Sequence, residues 1–254
     1  MALTPMTFAI SPEYRASARA QRLDTLERCL LFDQGVVVKA ARQHREVRRI
    51  DSPEGAVFLK RVFGRGFREV PHECRILTLL LEKGLPVPKP LVLGVRSGAA
   101  ALVTEALPEA RTLEDLLLNG DLIGPSRRRL FRNLADLVRR MHEAGVNHRD
   151  LYAGHVHVTD NLELFLVDLG RAESRRRVPR YRVTKDLAAL NTSIPDRIVG
   201  RGERLRFLRL YMGAEAKKSA VLSIARAIER KSLRMRRHAE RMLSRGEGNV
   251  HINR

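Results

Sequence analysis

Two aspartates, Asp150 and Asp168, stand 18 positions apart in the stretch GVNHRDLYAGHVHVTDNLELFLVDLGRA, residues 145–172. Between them the sequence has the pattern of a β-hairpin. His155 to Val158 and Leu162 to Val167 read as strands, with Thr159-Asp160-Asn161 as the turn, because Asp and Asn satisfy their own backbone in turns and β-branched residues favour strands. A hairpin brings its ends together, so both carboxylates are expected at one open end. One carboxylate there can serve as a base and the other as a metal ligand. Gly170, two residues after Asp168, permits a tight backbone turn. His155 and His157 share a strand face, so a site of two histidines and one carboxylate is a second reading of the same stretch.

A second set of chemical groups lies upstream. Ala56 to Val62 reads as a strand in which Lys60 ends the apolar run, and Pro71 to Gly84 reads as a helix, with proline in its first turn and glycine at its stop. Leu77, Leu80 and Leu81 mark the buried face of that helix, and Glu73, one turn before Leu77, projects from the same face. A carboxylate on a buried face needs a cationic partner, since an isolated buried charge is costly. Lys60 on the preceding strand is the nearest candidate.

These groups need two kinds of scaffold. Val36 to Val38, Val47 to Ile50, Ala56 to Val62, Leu91 to Val95 and Ala99 to Thr104 read as strands, broken by turn signals such as Asp51-Ser52-Pro53-Glu54-Gly55. The N-terminal arm reads as a helix from Pro12 through Arg28, with Leu23, Leu26 and Leu30 on one face. After Leu107-Pro108-Glu109-Ala110 the pattern changes. Thr112 is placed to cap a helix over Leu113 to Leu118, and Ser126 to Ala144 is a long amphipathic helix with Leu130, Leu134, Leu137, Val138 and Met141 on its apolar side. Another helix starts at Thr184, with Asp186 in its first turn, and helices rich in arginine fill 197–254. The expected class is α+β in two lobes: residues 1–105, an arm and a β-rich lobe with one inserted helix, and residues 106–254, a helical lobe.

The chain has 254 residues, 44% hydrophobic and 30% charged, which suits a globular protein able to bury a core. Its net charge of +19 is unusual and attracts polyanions: nucleic acid, an anionic membrane face or phosphorylated substrates. Residues 197–254 alone hold 16 Lys and Arg against 5 Asp and Glu, so more than half of the excess sits in the last quarter. Aromatic residues are only 5% and tryptophan is absent, leaving few stacking platforms for single-stranded nucleic acid, so no nucleic acid partner is expected. Cys29 and Cys74 belong to no metal-binding spacing. No apolar run approaches the roughly 20 residues that span a bilayer, and the N-terminus lacks the pattern of a signal peptide, so a cytoplasmic protein is expected.

Taken together, a strand lysine, a helix glutamate, His-Arg-Asp at 148–150, a donor at position 155 and Asp-Leu-Gly at 168–170 are the parts phosphoryl transfer from a nucleotide requires. In FLKR around Lys60, HECRILTLLLEKGLPVPKP, LVTEALPEARTLEDLL, NHRDLYAGHV and VDLGRAESRRRVPRYRVTKDLAAL, roughly residues 45–195, the chain resembles the bacterial lipopolysaccharide kinase family, the InaA/WaaP group, whose fold is similar to that of protein kinases. His155 sits where common protein kinases carry asparagine. The resemblance implies an ATP- and Mg²⁺-dependent kinase. It implies a heptose or related sugar of the lipopolysaccharide inner core as acceptor, at the anionic cytoplasmic face of the inner membrane. It further implies Asp150 as base, Asp168 and His155 as metal ligands, Lys60 as phosphate contact, Glu73 as its partner, and Glu105 and Ala106 in the hinge that receives adenine. Asp186 resembles the aspartate that braces the catalytic loop. There are departures: no GxGxxG precedes Lys60, and Leu169 stands where protein kinases carry phenylalanine. An atypical protein or small-molecule kinase, and an inert kinase-like module on an anionic membrane, are the alternative readings.

Overall fold

The computed structural model describes residues 6–41, 44–120 and 122–245. The chain forms two compact units, residues 1–108 and 109–254, and has the mixed α+β composition expected.

In the first unit six antiparallel strands form one sheet in the order β1-β5-β6-β4-β3-β2. They are β1 (Thr7–Ile10), β2 (Val36–Ala41), β3 (Arg45–Ile50), β4 (Val57–Phe63), β5 (Pro90–Arg96) and β6 (Ala99–Glu105). Side chains alternate across a strand, so β4 sorts its residues between two faces. Val57 and Leu59 join Ala101 and Val103 of β6 in a core with Leu23, Leu26 and Leu30, carried by α1 (Arg15–Ala20) and α2 (Leu26–Leu31) and the turn between them. Lys60 therefore points to the opposite face, where α3 (Glu69–Glu82) packs on β5 and β6.

The N-terminal arm differs from expectation. It is not one helix from Pro12 to Arg28, for the chain breaks at Arg22, in the left-handed region at φ 58°, and Leu23 N–H turns back to the Ala18 carbonyl. The expected apolar face is nonetheless buried, because the break carries Leu23 and Leu26 under the sheet together. Phe8 and Ile10 add an edge strand, β1 on β5, that the short alternation Phe8–Ile10 was too brief to announce. Gly94 of β5 makes room for both: a Cβ there would meet Leu26 Cδ1 at 2.6 Å and Phe8 Cδ2 at 3.0 Å. The β2–β3 connection includes residues 42 and 43, outside the described residues.

The second unit is mostly helical: α4 (Leu113–Leu118), α5 (Gly124–Glu143), α6 (Arg180–Thr192), α7 (Arg201–Met212) and α8 (Lys218–Ser244). Thr112 caps α4 by accepting from Asp115 N–H at 3.0 Å. The apolar stripe of α5 is buried throughout, from Leu130 to Met141. Three short strands, β7 (Ala110–Thr112), β9 (Val156–Thr159) and β10 (Leu164–Leu166), form a small sheet, and β8 (Val146–Asn147) pairs with β11 (Glu173–Ser174). The hairpin is shorter than its sequence pattern. His155 closes a 3-10 turn, Ala153–His155, and does not begin the strand. Asp160 to Glu163 form the loop, with Leu162 in the left-handed region. Glu173 and Ser174 form β11, and α6 starts at Arg180, four residues earlier than the expected Thr184.

Candidate functional site

Within the first unit, Lys60 Nζ donates to Glu73 Oε2 at 2.5 Å, and both side chains are nearly buried. Strand alternation and the helix face bring them together: one points up from β4, the other down from α3. Removing either partner leaves a buried charge uncompensated, which costs far more than the intact pair contributes. Accordingly Glu73→Gln is expected to lower kcat/KM about 10–100-fold through loss of lysine orientation, and adding Glu73→Gln to Lys60→Met is expected to do little more than Lys60→Met alone. Steady-state kinetics of the two single variants and the double variant checks this; additive losses would show the two residues acting separately.

Glu105 ends β6, and its N–H donates to the Lys89 carbonyl at 2.9 Å. Ala106 N–H is also engaged, with the Ala56 carbonyl at 2.9 Å. Ala106 therefore keeps only its backbone carbonyl for a ligand. The next N–H along, that of Leu107, makes no hydrogen bond among the described residues. The sequence reading missed this residue, because hydrogen-bond accounting at a strand end depends on which neighbour reaches back to it.

In the second unit the segment 145–172 is set by its ends and by α6. Gly145 ends α5 at φ 82°, and a Cβ there would meet the Arg175 carbonyl oxygen at 2.1 Å, so glycine is required for β8 and β11 to close. Arg149 (φ 73°) and Asp168 (φ 57°, ψ 53°) both adopt left-handed conformations. Such residues cost of order 1–3 kcal/mol and persist only where the surroundings over-determine them, typically at functional positions. Here Asp186, fully buried on α6, does so for the first: Oδ2 accepts from His148 N–H at 2.7 Å and Oδ1 from Arg149 N–H at 2.9 Å. His142 Nε2 lies 3.3 Å from the same Oδ2, with Tyr211 Oη on its other ring nitrogen.

His155 connects the two aspartates. Its Nδ1 lies 2.8 Å from the Asp150 carbonyl oxygen, which can only accept, so Nδ1 carries the hydrogen. That directs Nε2 at Asp168, whose Oδ2 is 3.7 Å away. In the neutral ring Nε2 then has its lone pair beside a carboxylate, a ligating tautomer fixed by a backbone acceptor. The Asp150 carboxylate meets Arg171, one of whose guanidinium nitrogens lies 3.0 Å from both oxygens. Lys185 stands near as well. Burial and the charges of Arg149 and Arg171 pull its pKa below the ordinary lysine value, against the attraction of Asp150 and Asp186. Arg171 and Lys185 were not singled out from the sequence, where each is one basic residue among many.

His148, stacked against His155 at 6.0 Å, is wholly buried and donates Nε2–H to the Val167 carbonyl at 3.0 Å, while its Nδ1 has no partner among the described residues. Burial lowers its pKa below the usual 6.5, against the pull of Asp186. Burial lowers that of His157 too. A histidine whose folded pKa is depressed contributes stability that is present above its unfolded pKa and is lost as pH falls. The melting temperature is thus expected to drop as pH goes from about 7 to about 5.5, with each histidine contributing at most about 1.4 kcal/mol per pH unit. His148→Gln is expected to flatten that slope; an unchanged slope in calorimetry would remove His148 as a cause.

Residues 64–211 match the model of the lipopolysaccharide kinase (Kdo/WaaP) family. The chain is 34% identical over 130 residues to the lipopolysaccharide core heptose(I) kinase WaaP of Escherichia coli K12, a match covering 47% of this chain and 49% of that one. It is 28% identical over 108 residues to the 3-deoxy-D-manno-octulosonic acid kinase of Vibrio parahaemolyticus, covering 41% and 44%. The chain thus spans about half the length of the curated relatives it matches. Among solved structures, an aminoglycoside-3'-phosphotransferase of type VIII superposes with a TM-score of 0.54 at 21% identity, over 77% of this chain and 92% of that one, which establishes a protein-kinase-like fold. With the matched segment covering more than half of its length, the chain belongs to the lipopolysaccharide kinase (Kdo/WaaP) family.

Proposed function

We propose that the protein transfers the γ-phosphoryl group of ATP to a hydroxyl of a heptose- or Kdo-type sugar in the lipopolysaccharide inner core, at the cytoplasmic face of the inner membrane. The observation that supports this reading best is the wiring of the second unit. A buried Asp186 holds the backbone in front of Asp150, and His155 grips the Asp150 carbonyl through Nδ1–H while turning Nε2 toward Asp168.

The roles follow from the chemistry of each group. Asp150 accepts the proton of the acceptor hydroxyl as its oxygen attacks the γ-phosphorus and ADP departs in line. Arg171 must first release a carboxylate oxygen, and its largely exposed side chain can do so at little cost. Lys60, oriented by Glu73, neutralises charge on the α- and β-phosphates. The Glu105 and Ala106 carbonyls and the Leu107 N–H face the adenine edge. Asp168 and His155 would hold Mg²⁺, which when bound neutralises phosphate charge; one carboxylate and one imidazole leave most positions to phosphate and water, as magnesium prefers at nucleotide sites. His155→Ala is expected to weaken binding of Mn²⁺, a spectroscopic stand-in for Mg²⁺, about tenfold or more, read by electron paramagnetic resonance without turnover. Unchanged affinity would exclude His155 as a ligand.

The reading itself is tested with purified protein, ATP, Mg²⁺ and dephosphorylated core glycolipid, locating new phosphate by mass spectrometry. Phosphate on a heptose or Kdo unit is expected. No incorporation on any core sugar would overturn the proposal, and labelling of a protein instead would favour a protein kinase.

A further inference from the structure

α8 is a 27-residue helix with two unlike faces. Val221, Ile224, Ile228, Ser232 and Ala239 are buried where it packs on α6 and α7. The opposite face carries Arg226, Arg230, Arg234, Arg237 and Arg241, all exposed. At 3.6 residues per turn these five fall within an arc of about 80° and along about 22 Å of axis. Among the described residues none of the five has a carboxylate partner. Arginines turned elsewhere do: Arg236 and Arg204 meet Asp196, Arg139 meets Asp136, and Arg127 meets Glu203. A merely solvated face interleaves both signs, whereas here Glu229 and Glu240 lie at its margin and leave the stripe of one sign.

We propose that this stripe is a docking surface for an anionic phospholipid leaflet. Charge complementarity calls for a polyanion, and two features select lipid. Leu233, 48% exposed, borders the stripe about 20° outside its arc, where an apolar side chain can enter the headgroup boundary while the arginines meet phosphates. α8 also has no Phe, Tyr or Trp on which a base could stack. The surface continues toward the candidate site. Arg180 Nη2 donates to Ser223 Oγ, on the same side of α8, at 3.3 Å. This joins the helix to the segment holding the exposed Arg175, Arg176 and Arg177 and the exposed Tyr181, a ring type favoured at membrane interfaces. That segment directly follows the Asp168 turn and β11. No helix among the described residues is long and apolar enough to cross a membrane, so contact of this kind is peripheral. The choice of lipid rests on the proposed acceptor being a membrane glycolipid, but the test does not read phosphoryl transfer.

The full chain is mixed with vesicles of phosphatidylcholine alone, or with about 30 mol% phosphatidylglycerol, and sedimented at low and high salt, together with Arg230→Glu/Arg234→Glu/Arg237→Glu and the milder glutamine triple. Binding only to the anionic vesicles is expected, released by salt and weakened at least about 100-fold in the charge-reversed variant, since each basic side chain near such a surface is worth several-fold in partitioning. Both triples should melt like the parent because the side chains are exposed; if the reversed one does not, the glutamine triple carries the comparison. Parent protein that ignores anionic vesicles, or variants that bind them equally, would overturn the proposal. Duplex DNA that displaces the vesicles through the same arginines would assign the stripe to nucleic acid and overturn it too. Vesicle binding without any sugar phosphorylation would leave the docking surface standing and remove the kinase reading alone.

Discussion

Replacing Asp150 with asparagine is expected to lower the rate of phosphoryl transfer about 10²–10⁴-fold while leaving the fold intact. The amide has nearly the same shape but cannot take the proton of a sugar hydroxyl. Asp150 has one strong side-chain partner among the described residues, Arg171, and that guanidinium is more than half exposed. An exposed pair of this kind contributes roughly 0–1 kcal/mol, which corresponds to no more than about 2–4 °C in melting temperature for a chain of this size. Rate and stability are therefore expected to separate. KM for ATP should change little, because the role proposed for Asp150 is toward the acceptor. Initial rates of phosphate incorporation, scanning calorimetry and an ATP titration on the same preparation check all three. Equal rates in parent and variant would remove Asp150 from the chemistry. A large fall in melting temperature would mean that the Arg171 contact holds the fold as well.

The parts of the structure legible in the sequence are those fixed by short periodic patterns. Lys60 and Glu73 meet because strand alternation fixes one direction and helix periodicity the other, and both periods are visible over a few residues. The buried stripe of α5 was readable for the same reason. What the sequence hid are features decided by more than one segment at once. His155 looked like the first residue of a strand; it lies instead in a 3-10 turn because its ring reaches the Asp150 carbonyl and its own N–H bonds the Tyr152 carbonyl at 2.9 Å. The N-terminal arm followed its apolar spacing in burial but not in continuity, since the turn at Arg22 depends on how α1 and α2 seat under the sheet. Leu107 escaped notice because its free N–H is defined by what Lys89 and Ala56 do with the two residues before it. Arg171 and Lys185 escaped because in a chain with 48 lysines and arginines a basic residue carries little information until its neighbours are known.

The largest stability effect is expected from Asp186, which the sequence suggested only as an acid in a helix's first turn or, by resemblance, as a brace. Asp186→Ala removes the acceptor of two backbone N–H groups, those of His148 and Arg149, at a fully buried position. Each buried donor left unsatisfied costs about 1–3 kcal/mol. His142 loses its contact as well, so the total is about 3–5 kcal/mol, a large share of the roughly 5–15 kcal/mol that holds a typical protein folded. The consequence for activity is local. Arg149 sits at φ 73° one residue before Asp150, and the Asp186 hydrogen bond is what opposes its return to an ordinary conformation. If that backbone relaxes, the Asp150 carboxylate moves, and misplacement of a reacting group by about 1 Å can cost about 10²-fold. Asp186→Asn separates the two effects, because its carbonyl can still accept from one of the two N–H groups. It is expected to recover more than half of the lost stability but little of the lost rate, since holding only one end of the His148-Arg149 pair leaves the turn free to rotate. Chemical denaturation together with initial rates for alanine, asparagine and parent decides the matter. An alanine variant as stable as the parent would show that the loop is held by β8 and β11 instead, and an asparagine variant with full activity would show that one hydrogen bond is enough.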